Sequence, residues 1–327
     1  MTVKLSMTFR EYERTSALLR GLVRVPGADI TFVPFEIDNF RRMLRYLEYD
    51  ISEMSMSSYL IARESGIPFT AIPVFPHRRF RHSYIFVRNG SGIKEPRDLI
   101  GKKIGIPEYQ ITALLWIRGT LLHDYDVRPE DIRWFFDRDE ERLPIRLPDK
   151  ISIQKIEATT KEQLIREGKL DAIIDAKVPK ILYEERSCIS RLFPDYKEVE
   201  RKYYERTGIF PIMHTIVAKE QLFKENPWLA VSLWKAFVQS KQISFERMKD
   251  ARLSNFVWPE TYLQEEGKIF GDDPWKYNLK DNRKTLETLI DYSLEQYFIT
   301  RKQEIDDIFF PSTHDLEEDK SMVPYDL

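Results

Sequence analysis

From Arg78 to His82 the chain reads Arg-Arg-Phe-Arg-His, three guanidiniums and an imidazole within five residues. Such groups repel one another unless anions or solvent lie close, and a planar guanidinium can grip a carboxylate through two parallel N–H bonds. The run fits a solvated basic loop and an anion-binding loop alike. Strand-like alternation sends Arg79 and Arg81 to one side and His82 to the other, and both readings keep Arg78 exposed. A second candidate is Gly-Ile-Pro-Glu-Tyr-Gln-Ile-Thr at 105–112. It reads as a strand-to-helix loop whose free N–H groups favour a carboxylate, with Glu108, Gln110 and Thr112 as its polar side chains and Arg118 two turns on, able to face either way. A capped helix start accounts for it equally well. Ser55, Ser57 and Ser58 offer neutral donors to an oxyanion or plain helix caps. His214, in the apolar strand Phe-Pro-Ile-Met-His-Thr-Ile-Val, fits both an acid/base and a satisfied core histidine.

Other chemistries lack their residues. His77 and His82 do not have the spacing of a helical metal pair, and no His-Glu-x-x-His or cysteine pair occurs, so no metal site is expected. No dinucleotide fingerprint, phosphate-binding loop or serine nucleophile elbow is found. The only cysteine, Cys188, sits among charges with no nearby histidine and reads as an ordinary thiol.

Elements that must position these groups follow from periodicity. Val3–Phe9 and Ile30–Phe35 alternate as strands, Phe40, Met43, Leu44 and Leu47 recur at helical spacing, and the polar stretch Asp50–Leu60 reads as a loop. Ile72–Phe75 and Ser83–Val87 are strands flanking the basic run. Lys103–Ile106 is a strand feeding a helix with Leu114, Leu115, Ile117 and Leu121. The mixed-sign run Asp137–Arg142 reads as a solvated loop. Ile151–Ile156 is a strand, Thr160 caps a helix that Gly168 ends, and Ala172–Ala176 is a buried strand. Pro211–Ala218 returns as a strand, Asn226-Pro227 opens a long helix, and Leu286, Leu289, Ile290, Leu294 and Phe298 mark a last one. The expected fold is α/β with two discontinuous lobes, residues 1–87 plus 212–327 and residues 88–211, with a ligand cleft between them.

Composition narrows the function. At 327 residues the chain is long enough for two lobes. Its 51 Lys and Arg against 53 Asp and Glu leave a net charge of -2, so no bulk positive field draws nucleic acid or an anionic membrane. Apolar runs fall far short of the roughly 20 residues that span a bilayer. The N-terminus lacks the apolar core of a signal peptide, and one cysteine suits a reducing compartment, so a cytoplasmic location is expected. Nothing in the sequence fixes whether the chain forms a homo-oligomer.

Taken in order, Glu11–Leu18, Phe40–Leu60, Ala71–Val87, Glu95–Gly119 and Pro211–Val217 resemble the 4,5-dihydroxyphthalate decarboxylase family, and the resemblance resumes at Leu164–Ala176 and over the last helix. Residues 137–150 and the tail after Thr313 match nothing in that pattern and are candidates for shaping substrate choice or assembly. The resemblance implies a type II periplasmic-binding-protein-like fold and cofactor-free decarboxylation of a small aromatic dicarboxylate. It assigns Arg14, Arg79, Arg81 and Arg118 to carboxylate or hydroxyl contacts, with Ser57, Ser58, Gln110 and Thr112 as further substrate contacts. His82 and His214 become the acid/base pair, and Glu108 orients one of them or takes a phenolic proton. A solute-binding protein for an aromatic carboxylate is the competing expectation, since the same fold and arginines would serve it.

Overall fold

The computed structural model describes residues 2–138 and 143–319. Two compact units are present. Unit 1 comprises Met1–Arg78, Ile212–Glu287 and Gln303–Leu327, and unit 2 comprises Arg79–Pro211 and Thr288–Lys302. Residues 79–87 and 288–302, placed by sequence with the first lobe, pack with the second. Four residues of the Asp137–Arg142 run, and the last eight of the tail, lie outside the described residues.

Unit 1 is built on a five-stranded sheet. Its strands are β1 (Val3–Thr8), β2 (Ala28–Phe32), β3 (Ile51–Ser55), β4 (Phe69–Arg78) and, much later in the chain, a strand Ile212–Lys219, in the spatial order β2, β1, β3, Ile212–Lys219, β4. The late strand runs antiparallel to both of its neighbours, while β1 is parallel to β2 and β3. Helices α1 (Glu13–Leu19), α2 (Asn39–Tyr46) and α3 (Met56–Glu64) follow β1, β2 and β3.

The polar stretch after residue 50 is the principal departure from the sequence expectation. It is the buried central strand β3, running into α3, and not a loop. Its Ser52 and Glu53 have no exposed surface, which a hydropathy pattern cannot foresee. β4 also extends through His77 and Arg78, beyond the four residues expected.

Unit 2 carries a six-stranded sheet. In chain order its strands are β5 (Ile85–Arg88), β6 (Lys103–Ile106), β7 (Arg133–Phe136), β8 (Ile153–Lys155), β9 (Ala172–Ile174) and β10 (Ile189–Arg191), arranged β10, β5, β9, β6, β7, β8. The late strand of unit 1 is hereafter β11. Helix α4 (Thr112–Tyr125) connects β6 to β7, α5 (Lys161–Arg166) connects β8 to β9, and α6 (Tyr196–Thr207) follows β10 on the way to β11. Thr160 caps α5 by accepting from the Gln163 amide at 3.2 Å, as expected, and Gly168 ends the turn with φ 71°. Phe86, Ile165, Leu170, Ile173, Ile181 and Ile189 form the core beneath the sheet.

The remaining helices are α7 (Glu220–Glu225), α8 (Pro227–Lys249), α9 (Pro259–Phe270), α10 (Arg283–Glu295) and α11 (Ile305–Ile308). Pro227 opens α8, but Asn226 turns its amide back to the Leu222 carbonyl and makes no side-chain cap. α8 packs along α1, where Ser240 Oγ accepts from the Leu18 amide. The second half of α10 belongs to unit 2. There Gly119 meets Tyr292, and a Cβ on Gly119 would lie 2.0 Å from the Tyr292 ring, so only glycine fits. Among the described residues no helix is long and apolar enough to cross a membrane.

Candidate functional site

In unit 1 the chemistry gathers where β3 ends and α3 begins. β11 pairs with both β3 and β4, which sets His214 opposite Ser55 on one side and His77 on the other. The β4–β11 ladder slips in register on both sides of His214. Such bulges bend a strand and re-aim its side chain. The His214 ring meets His77 edge-on at 4.8 Å and Phe40 at 5.1 Å between centroids, leaving its side chain 17% exposed.

Beneath His214 lies Glu53, fully buried. It engages His214 Nδ1, accepts from the Tyr12 hydroxyl at 2.7 Å and accepts from the Arg10 amide at 2.8 Å. Burial alone would raise the Glu53 carboxyl. The charge and hydrogen bond of His214, with the Arg10 and Tyr12 donors, outweigh it and hold the group below the usual glutamate range. Burial, and then the neighbouring Glu53 charge, push the Tyr12 hydroxyl far up, so it remains a donor. The outcome is a fixed carboxylate that orients an imidazole, leaving Nε2 to exchange protons.

Arg14, from α1, flanks this group. Its guanidinium lies 5.4 Å from the Tyr12 ring centroid and 3.4 Å from that of Trp275, and donates to the Pro76 carbonyl at 2.9 Å. Ser57 and Ser58 sit fully buried in the first turn of α3, with Ser57 Oγ 3.2 Å from Ser55 Oγ. Arg14, Ser57, Ser58 and His214 thus belong to one unit, near the carboxyl ends of its parallel strands, where open α/β sheets bind ligands. The sequence reading missed Glu53, Tyr12 and His77. His77 could have been found by letting the strand pattern run on through the proline at 76.

The other candidates fall in unit 2. β4 ends at Arg78, so strand alternation does not govern Arg79 to His82. Arg78, expected to be exposed, is buried and donates to Asn282 and the Lys276 carbonyl in unit 1. Arg79 is exposed. Arg81 is buried, donates to the Ala176 carbonyl at 3.1 Å and lies over Tyr84, and burial brings its guanidinium down to about 10. Glu108 pairs with Arg138 at 3.6 Å, and the carboxylate seen on His214 is Glu53. Gln110 donates to the Leu143 carbonyl at 2.6 Å, and Thr112 starts α4. Arg118 is a core residue: it donates to Gln296 Oε1 at 2.7 Å and the Tyr109 carbonyl at 3.0 Å, and stacks 3.7 Å from the Tyr109 centroid. Asp137, expected in a solvated loop, is tucked against the buried Lys161 at 3.1 Å, with Asp175 on the same ammonium.

Of the two candidate acid/base histidines, His82 is the more deeply enclosed. It is 5% exposed, lies edge-on to Phe193 and Tyr203, and neither ring nitrogen has a hydrogen-bond partner among the described residues. Burial, helped by the Arg206 charge, lowers it to about 4. At neutral pH this keeps it an uncharged imidazole. A depressed basic group stabilises the fold fully above its unfolded value near 6.5 and loses that contribution as pH falls towards the folded value. His82→Phe is expected to flatten the decline in unfolding free energy between pH 6.5 and 4 by about 3 kcal/mol. Parallel urea titrations across that range check it, and an unchanged slope would place His82 in contact with water.

Among the described residues no group of three His, Cys, Asp or Glu side chains is arranged to hold a metal ion. Two α/β units with mixed sheets, chain segments exchanged between them and polar groups at strand ends define the type II periplasmic-binding-protein-like class. Residues 9–142 match the family model described as ABC transporter, phosphonate, periplasmic substrate-binding protein. The Escherichia coli periplasmic aliphatic sulphonate binding protein SsuA superposes with a TM-score of 0.58 at 14% identity, over 96% of this chain and 99% of that one. The 4,5-dihydroxyphthalate decarboxylase of Comamonas testosteroni is 33% identical over 323 residues, 95% of this chain and 97% of that protein. The Pseudomonas putida protein of the same name is 35% identical over 212 residues, 62% of this chain and 81% of that protein. The chain belongs to the 4,5-dihydroxyphthalate decarboxylase family.

Proposed function

We propose that this protein is a carboxy-lyase that converts 4,5-dihydroxyphthalate to 3,4-dihydroxybenzoate and CO₂, with His214 as its proton donor. The observation that carries the reading is the buried Glu53 carboxylate on His214 Nδ1, in a chain whose relatives bear the decarboxylase name. Each carboxylate of that substrate is para to a hydroxyl. A proton from His214 Nε2 adds to the ring carbon bearing the carboxylate, and the para oxygen shares the positive charge that develops. The bond to the carboxylate then breaks, its electron pair restores the aromatic ring, and CO₂ departs. One proton is consumed and no electron acceptor is needed. Glu53 steadies the imidazolium before transfer, Arg14 holds a substrate carboxylate, and Ser57 and Ser58 supply neutral donors. Gripping the departing carboxylate equally in ground and transition states would not speed its loss, so the arginine belongs on the carboxylate that stays.

The likeness to a sulphonate-binding protein shows the fold alone, and a solute-binding reading rests on it. Incubating the purified protein with 4,5-dihydroxyphthalate separates the two. CO₂ and 3,4-dihydroxybenzoate are expected in equal amounts, whereas binding with the ligand recovered intact would sink the decarboxylase.

A further inference from the structure

One buried lysine fastens the C-terminal segment to unit 1. Lys241, in the middle of α8 and without exposed surface, donates to Asp273 Oδ2 at 2.6 Å, to the Trp275 carbonyl at 2.9 Å and to the Glu318 carboxylate. Glu318 also accepts from the Tyr277 amide, and Asp273 Oδ1 accepts from the Trp275 amide at 2.7 Å. The backbone of Trp275 is thus held at both its N–H and its C=O. Next along the chain, the Lys276 carbonyl accepts from Asn282 at 2.9 Å and from Arg78 at 3.4 Å. A buried ammonium is held by each such carboxylate, because removing one strips it of a charge-assisted hydrogen bond that water cannot replace there.

The indole held this way lies against the Arg14 guanidinium, 3.4 Å from the ring centroid. Arg14 in turn donates to Pro76, the residue before His77, and lies beside Tyr12, whose hydroxyl donates to Glu53. A stacked guanidinium has already given up much of its rotamer freedom, so a ligand that meets it bears less of the ordering cost.

We propose that Lys241, Asp273 and Glu318 form a latch by which the C-terminal segment fixes Trp275, and that Trp275 is a positioning residue that presets Arg14 for the substrate carboxylate. The inference rests on Arg14 contacting substrate as set out above. Preorganisation of a group that binds ground and transition states alike changes KM and leaves kcat alone.

The test measures kcat and KM for 4,5-dihydroxyphthalate, with calorimetric affinity for the same compound alongside. Trp275→Leu is expected to raise KM about tenfold with kcat within about twofold, and Trp275→Phe to restore most of the loss, since a ring face remains for the cation. Glu318→Gln and Asp273→Asn should raise KM in the same direction. Once Arg14 is already Ala, Trp275→Leu should add nothing further. An unchanged KM in Trp275→Leu, or a full additional loss on top of Arg14→Ala, overturns the role of Trp275. Wild-type KM in both folded carboxylate variants overturns the latch, and if one fails to fold, as judged by circular dichroism, the other decides. A wild-type protein that binds the compound without converting it fails the decarboxylase reading instead, and the same comparisons are then read in Kd. Absence of binding by the wild type overturns both.

Discussion

Replacing His214 with Gln is expected to lower turnover about a hundredfold or more while KM moves by only a few-fold, the pattern of a lost general acid. Glutamine can still donate an N–H to Glu53, so the buried carboxylate keeps a partner and the fold survives. What it lacks is a proton to give. In the proposed reaction the ring carbon takes a proton, and with Nδ1 committed to Glu53 the transferable proton resides on Nε2. Single-turnover rates with thermal melts of the same preparation check the result. A melting point well below wild type combined with normal activity in the folded fraction would return His214 to the role of a core residue.

Glu53→Ala is expected to cost roughly 3 kcal/mol or more of unfolding free energy, because it strands three groups that now share one buried carboxylate. Those groups are the Tyr12 hydroxyl, the Arg10 amide and His214 Nδ1. Glu53→Gln should cost less, since its amide oxygen can still accept from one of Tyr12 and Arg10, which use different oxygens of the carboxylate, yet turnover should fall because the imidazolium loses its facing charge. The pH dependence has a definite sign. Glu53 is held below its unfolded value, so its contribution is fully present above the ordinary glutamate range and is lost as pH falls through the folded value. Urea titrations at neutral and acid pH, run on both variants and the wild type, test this. Two variants as stable as wild type would mean that the carboxylate contributes nothing net.

What could be read in the sequence was local. Strand β6, the capped helix α5 and the proline start of α8 depend on neighbours a few residues away, and their boundaries were legible. β3 was not, because Ser52, Glu53 and Ser55 look like a loop until β1 and β11 close over them from 44 and more than 150 residues away. The same blindness hid Glu53. Arg118 and His82 were legible only as residue types, because their surroundings are set by Gln296, Tyr109, Phe193 and Tyr203, far away in sequence. His214 was legible as a choice between core and catalyst, and the carboxylate beneath it supports the second. Family resemblance supplied the substrate class, which no spacing of residues could.

Neither unit is a continuous stretch of chain, and this bears on how the protein is made. Unit 2 lacks residues 288–302 until a further 76 residues have followed Pro211, so Arg118 waits for Gln296 and Gly119 for Tyr292. Unit 1 waits longer, because Lys241 stays without Glu318 until residue 318 has emerged. Contacts of such long sequence separation are slow to form. A ribosome-bound chain halted before residue 288 therefore carries two unfinished cores at once, and completion of both waits on the residues that follow.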